Sequence, residues 1–268
     1  MTLRIKVFFP LFRRMKIASV LVACNDNPTF LEYWPIVKEA WLSIANLPCT
    51  LVFVGDSLPE ALQNDSSVKF FKAIPGWSTA TQAKCIRLLY PALFNNDSSG
   101  AILISDMDVI PLQRDFYSRE FVKFNVNNFV MFRGTDKRER TVPTCYYAAV
   151  PSIWGDIFNI KKEEDLLTRL TEWSQKSKNG CNWLEQEQLE LYTIISLFDN
   201  VIPERVELIR WSRNFSRLDR VNHDMWYLWN NELEQNLRNK SYIDFRMPSF
   251  KEFGKHISII VDYSKNLH

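Results

Sequence analysis

Ala101-Ile-Leu-Ile-Ser-Asp-Met-Asp-Val-Ile-Pro111 is the stretch whose reading decides the fold. Its first four residues form a short, continuous apolar run, the pattern of a strand buried on both faces. The run gives way to Asp106-Met107-Asp108, two carboxylates one residue apart, where a buried strand leaves its sheet. Ligands of open α/β sheets bind beyond the carboxyl ends of the strands. Alternation sends Met107 the opposite way and leaves Asp106 and Asp108 placed to approach a common ion. A hard divalent cation, Mn²⁺ or Mg²⁺, takes oxygen ligands and would bridge the pair to a diphosphate. A bare Asp-x-Asp also occurs in solvated loops. The apolar strand before this one and Val-Ile-Pro after it set it apart.

Working outward, Ile17 to Ala23 is a second buried run, broken by Asn25-Asp-Asn-Pro28. Thr29 with Glu32 reads as a capping box for a helix to about Ala45, which Pro35 should kink or delay. Thr50 to Gly55 is another buried strand ending at Asp56, and Val68 to Lys72 a further one. A helix is expected from Thr81 to Phe94, with Ala83, Ile86, Leu89, Tyr90 and Leu93 turned inward. Strands recur near Phe129–Phe132 and Cys145–Val150. The second half then reads as helical, at Lys162–Lys176, Trp183–Phe198 and Asp224–Leu237. Strands alternating with helices imply right-handed crossovers and a mostly parallel sheet covered on both faces, an α/β fold.

Composition bounds the rest. The 268 residues are 46% apolar, with 19 Phe, 9 Trp and 9 Tyr, enough for one sizeable core. The net charge of +2 removes any strong electrostatic case for a nucleic-acid partner. Seven glycines form neither a dinucleotide-binding fingerprint nor a Walker loop. Five cysteines, Cys24, Cys49, Cys85, Cys145 and Cys181, include no C-x-x-C pair and suit buried reduced thiols. No run is long enough to span a bilayer, and the apolar N-terminal stretch, interrupted by Pro10, lacks a cleavage signal. The expectation is one intracellular, cytoplasmic domain over residues 15–268, with residues 1–14 as an extension.

The order of a strand ending in Ala23-Cys-Asn-Asp26, a helix, a strand ending in Gly55-Asp56, a basic helix, and then strand-Asp-x-Asp-x-x-Pro resembles GT-A glycosyltransferases. It is similar in particular to the small GT-A enzymes encoded by chlorella viruses, over about Lys16 to Trp226, which would place the chain in a host cytoplasm. The resemblance implies a UDP-sugar donor bound by a donor half (about 15–112). A glycan or glycoprotein acceptor would be bound by an acceptor half (about 113–268). It implies that Ala23, Asn25 and Asp56 hold the uridine and that Asp106, Met107 and Asp108 lie along the nucleotide-sugar. Asn25 and Asp26 also suit plain turn chemistry. Lys84 and Arg87, three apart on one helical face, match the basic surface turned to the donor, or a solvated face.

Trp183-Leu-Glu-Gln-Glu-Gln-Leu189 is similar to the acidic segment such enzymes set beside the anomeric carbon. Glu185 and Glu187 point roughly 200° apart on a helix, so one of them faces the site. That carboxylate would be a general base in an inverting enzyme, or would stabilise an oxocarbenium ion in a retaining one. The resemblance also implies a histidine as third metal ligand, and His223, beside Asp224, is the candidate. Asp136-Lys-Arg-Glu-Arg140 reads as a charged loop near the donor or acceptor. Trp154, Trp183, Trp211, Trp226 and Trp229 are either core or sugar-stacking surfaces. The rival readings are a D-x-D phosphohydrolase, which usually carries its motif on the first strand, and a non-catalytic nucleotide-sugar or glycan-binding module.

Overall fold

The structure, a computed structural model, describes residues 13–94, 100–131, 145–177, 206–208, 216–220 and 228–267. Four parallel strands open it in the order β3-β2-β1-β4: β1 (Ile17–Asn25), β2 (Cys49–Gly55), β3 (Val68–Lys72) and β4 (Ala101–Ile104). The sheet continues through β7 (Tyr147–Ala149), antiparallel to β4, then β6 (Phe129–Met131) and β8 (Val206–Leu208). Seven described strands, mostly parallel and flanked by helices, are the architecture the buried runs called for.

Strand alternation divides the core in two. Val20, Val22, Leu51, Phe53 and Leu103 face one side, where Trp34, Val37, Ala40 and Trp41 of α2 (Trp34–Ser43) pack on them. Leu21, Ala23, Val52, Val54, Ile102 and Ile104 face the other. There they meet α3 (Thr79–Leu89), α5 (Pro151–Phe158) and α6 (Glu163–Ser177). Trp154 belongs to this second layer and is wholly buried, so it is core rather than a sugar platform.

Two local expectations need correction. The first helix is capped not by Thr29 but by Asn27, whose side chain accepts from the Thr29 N–H at 3.0 Å. That one-turn helix, α1 (Pro28–Leu31), stops, and Pro35 sits in the first turn of α2, where its missing N–H costs nothing. The helix expected from Asp224 begins instead as α7 (Asn231–Arg238), because Asn230 caps it through the Leu233 N–H at 2.8 Å. The expected helix at Trp183–Phe198 lies outside the described residues.

A second sheet went unanticipated. β5 (Val109–Pro111), β9 (Arg217–Asp219) and β10 (Asp244–Arg246) pair in the order β5-β10-β9. Phe245 and Leu218 turn into the first core layer, covered by α7 and by α8 (Phe250–Asn266). Helix α4 (Arg114–Phe121) follows β5 and buries Tyr117 and Phe121. At the N-terminal side, Arg13 and Arg14 already pair with the 125–126 segment, and Met15 is buried. The described cysteines, Cys24, Cys49, Cys85 and Cys145, are buried and carry no disulfide. No described helix is long and apolar enough to cross a membrane.

Candidate active site

Asp106-Met107-Asp108 is the joint between the two sheets: β4 ends at Ile104 in the large one and β5 starts at Val109 in the small one. The Ser105 N–H donates to the Leu21 carbonyl at 3.0 Å, which fixes the loop to β1. The Met247 N–H donates to the Asp108 carbonyl at 2.7 Å, which fixes it to the residue that follows β10. Met107 points into the first core layer, as alternation requires.

The two carboxylates differ in setting. Asp106 keeps 25% of its side chain exposed and pairs with Arg87, Nη1 to Oδ1, at 2.5 Å. Asp108 is buried to 5%, and its Oδ2 receives Arg220 Nη1 at 2.7 Å and Arg246 Nε at 3.4 Å. Burial pushes the Asp108 carboxyl above the ordinary carboxylate range and the charge of Asp106 adds to that; Arg220 and Arg246 pull it back. Tyr33 stands beside this group, donating its hydroxyl to the Pro248 carbonyl at 2.7 Å. Its phenol is raised by burial first and by Asp108 second.

Lys84 and Arg87 share helix α3, but Arg87 is not part of a solvated face. Its guanidinium is buried and reaches inward to Asp106, while Lys84 is half-buried. Asn25, at the end of β1, donates to Thr79 Oγ1 at the start of α3 at 3.0 Å and to Asp26 Oδ1 at 3.3 Å. Asp56 is exposed just past β2, and Ala23 is buried within β1. All lie toward the carboxyl edge of the parallel strands, the side on which Asp106 leaves β4. Cys24 is not a nucleophile in waiting: burial first and Asp26 second push its thiol up to about 12. Gln82 at the same end of α3 holds the preceding loop, exchanging hydrogen bonds with Ile74 N and O and the Trp77 carbonyl at 2.8 to 3.0 Å.

Two carboxylates at a strand end are hard oxygen donors and fit a hard divalent cation. Asp108 offers a second such donor, with its Oδ2 held by two partly exposed guanidiniums. Among the described residues no group of three or more His, Cys, Asp or Glu converges, so the described protein donors are these two carboxylates. Glu185, Glu187, His223 and the Asp136–Arg140 loop lie outside the described residues, as do Trp183, Trp211 and Trp226. Trp229 is half-buried and edge-packed on Tyr263, centroids 4.9 Å apart.

Sequence reasoning missed Arg220 and Arg246, and with them the contribution of the second half of the chain to the Asp-x-Asp site. The available signal, for Arg246 alone, was the opposite charge pattern of Arg217-Leu-Asp219 and Asp244-Phe-Arg246, which pair Arg217 with Asp244 and Asp219 with Arg246; Arg220 lies one residue past its strand.

No family model matches the chain, and no curated protein matches it. Solved structures that do match are glycosyltransferases by name. The galactosyltransferase LgtC, solved in complex with donor and acceptor sugar analogs, is 9% identical with a TM-score of 0.45, covering 91% of this chain and 95% of its own. Mouse xyloside xylosyltransferase 1 is 10% identical at 0.41, covering 86% and 97%. GlyE of Streptococcus pneumoniae is 10% identical at 0.47, covering 94% of this chain and 64% of its own.

Proposed function

We propose that the protein is a metal-dependent GT-A glycosyltransferase that moves a sugar from a UDP-sugar to a glycan or glycoprotein acceptor. One observation carries the reading: Asp106 and Asp108 leave the carboxyl edge of a parallel sheet inside a ring of three arginines. Paired carboxylates among guanidiniums suit a ligand that is itself a cation bound to an anion, such as a metal–diphosphate. The resemblance to small chlorella-virus enzymes supports uridine as the base, with Asn25 and Asp56 as its hydrogen-bonding partners and Ala23 leaving room for it.

In this reading Asp106 and Asp108 would hold Mn²⁺ or Mg²⁺, which would supply Lewis-acid neutralisation of charge for the departing nucleoside diphosphate. Arg87 orients Asp106 from the buried side, so this carboxylate needs no reorganisation when the donor arrives. Lys84, on the same helix, faces the donor's phosphates, and Met107 anchors the loop in the core. The Glu185–Glu187 segment supplies the carboxylate at the anomeric carbon, and His223 completes the metal shell. The compartment is the cytoplasm, the host's if the chain is viral.

The test is donor turnover with a panel of nucleotide sugars, with and without Mn²⁺, together with thermal shifts against nucleoside diphosphates. Metal-dependent release of UDP, and stabilisation by UDP over guanosine diphosphate, is the expected result. Release of inorganic phosphate from simple phosphate esters would replace the reading with a phosphohydrolase, and binding without turnover would leave a binding module.

A further inference from the structure

The three arginines pose a question that the glycosyl-transfer reading does not answer. Arg220 follows β9 and Arg246 ends β10, yet they converge on one oxygen, Asp108 Oδ2, at 2.7 and 3.4 Å. A single carboxylate oxygen seldom needs two guanidiniums, each of which can grip an oxyanion through two parallel N–H groups. Neither is fully committed. Each keeps 33% of its side chain exposed, and Arg246 meets Asp108 through Nε alone. Arg220 is steadied from behind by its Nη1 donation to the Met247 carbonyl at 3.2 Å.

The charges at the joint also balance. Arg87, Arg220 and Arg246 stand against Asp106, Asp108 and Asp219, the last paired in register with Arg246 across β9 and β10. A divalent cation arriving alone meets carboxylates already engaged by guanidiniums. A diphosphate arriving alone meets guanidiniums already engaged by carboxylates. Arriving together, they nearly cancel in charge, and Asp108, Arg220 and Arg246 each exchange one partner for another of the same sign while Arg87 stays on Asp106.

We propose that Arg220 and Arg246 are diphosphate-binding residues held on Asp108 until a divalent cation takes its carboxylate, so that metal and diphosphate bind cooperatively. The inference rests on the glycosyl-transfer reading and adds to it two binding residues and a coupling between the two ligands. It predicts that removing one arginine helps the metal, harms the diphosphate and cuts the coupling between them, whereas a merely structural ion pair would shift the two affinities through its charge and leave the coupling in place.

Free Mn²⁺ followed by electron paramagnetic resonance gives the metal affinity, and calorimetry gives that of uridine diphosphate and guanosine diphosphate. Wild type should show each ligand tightening the other by the same factor, on the order of tenfold or more, as linkage demands. Arg246→Gln should bind Mn²⁺ alone several-fold more tightly, bind uridine diphosphate with Mn²⁺ about tenfold more weakly, and lose most of the coupling. Arg220→Gln should behave alike and serves if Arg246→Gln fails to fold, which its melting curve reveals. Folded variants with both affinities and the coupling unchanged would overturn the inference while leaving the glycosyl-transfer reading intact. Wild type that binds neither nucleoside diphosphate, with or without Mn²⁺, would overturn both.

Discussion

Arg217 and Asp244 face each other across two parallel strands of the small sheet and engage as a fork. Nε donates to Oδ1 at 2.7 Å and Nη2 to Oδ2 at 2.5 Å, with both side chains almost wholly buried. Burial works against the Arg217 charge, but Asp244 more than compensates and holds its pKa above the ordinary arginine value. The guanidinium also lies over the Tyr146 ring, 5.6 Å from its centroid. Two residues along each strand, on the same face, come Asp219 and Arg246. The buried pair therefore sets the register at which Arg246 meets Asp108.

Breaking this pair from one side leaves an uncompensated buried charge. Asp244→Ala should cost about 3–5 kcal/mol in urea unfolding, and the double variant Arg217→Met with Asp244→Leu should recover most of it. If the double variant is no more stable than the single one, packing rather than charge is what matters at this site.

The two aspartates of the motif should separate in their effect on stability. Asp106→Ala takes its carboxylate from the buried Arg87 guanidinium and should cost about 1–3 kcal/mol. It should also weaken metal-dependent uridine diphosphate binding by at least about 100-fold, the upper end of what outer-shell partners of a metal cost. Asp108→Ala should weaken that binding in the same way, but it releases two arginines that are each one-third exposed and can be hydrated, so it should cost no more than about 1 kcal/mol. Melting curves and calorimetry on the two variants make the comparison.

Asp65 gives a pH signature remote from the site. Its carboxylate accepts from Lys38 Nζ at 2.7 Å, Ser67 Oγ at 2.8 Å, Trp34 Nε1 at 2.9 Å and the Ser67 N–H at 3.0 Å. Partial burial raises its pKa, but these partners outweigh burial and hold it below the usual carboxylate range. A depressed native pKa means the stabilisation is complete above the unfolded value, about pH 4, and is lost as pH falls through the native one. Asp65→Asn should therefore cost about 1–2 kcal/mol at pH 7, mostly from the hydrogen bonds, since Lys38 is 40% exposed. The gap from wild type should narrow as the pH is taken from 4 toward 2, read by urea unfolding at each pH.

At the start of β4 there is no room for a methyl group. A Cβ on Gly100 would lie 2.3 Å from the Cβ of Ala18 on the neighbouring strand β1. Gly100→Ala should destabilise by about 1–3 kcal/mol, and adding Ala18→Gly should return part of the loss in denaturant titrations.

The β1, β2 and β4 strands could be read because strands buried on both faces are near-continuous apolar runs, and Ile17–Ala23, Thr50–Gly55 and Ala101–Ile104 are such runs. Asp106 and Asp108 followed from their position at a strand end. Arg220 and Arg246 did not, because three-residue strands such as Arg217–Asp219 and Asp244–Arg246 carry too few apolar positions to show a period. Their partner Asp108 is also more than a hundred residues away in the chain. Arg87 was found for its residue type and spacing but placed on the wrong side. Helical periodicity locates a Cβ, whereas a long side chain can curl inward from the rim of the apolar stripe, as Arg87 does to reach Asp106. The Asn27 cap was passed over for Thr29 because both are good caps, and only the position of Pro28 at the head of the turn decides between them.

The Asp-x-Asp loop joins a sheet whose first four strands precede it to a sheet completed only by β9 and β10, far downstream. During synthesis the four parallel strands can pair as soon as Ile104 has emerged, but the arginines that meet Asp108 are added much later. A growing chain would thus carry a formed scaffold with an unfinished ligand site for more than a hundred further residues. At about 5–20 residues per second that interval lasts several seconds or more. Ligand capture then marks the arrival of Arg246, and it could be timed on stalled chains of increasing length as a clock for the last stage of folding.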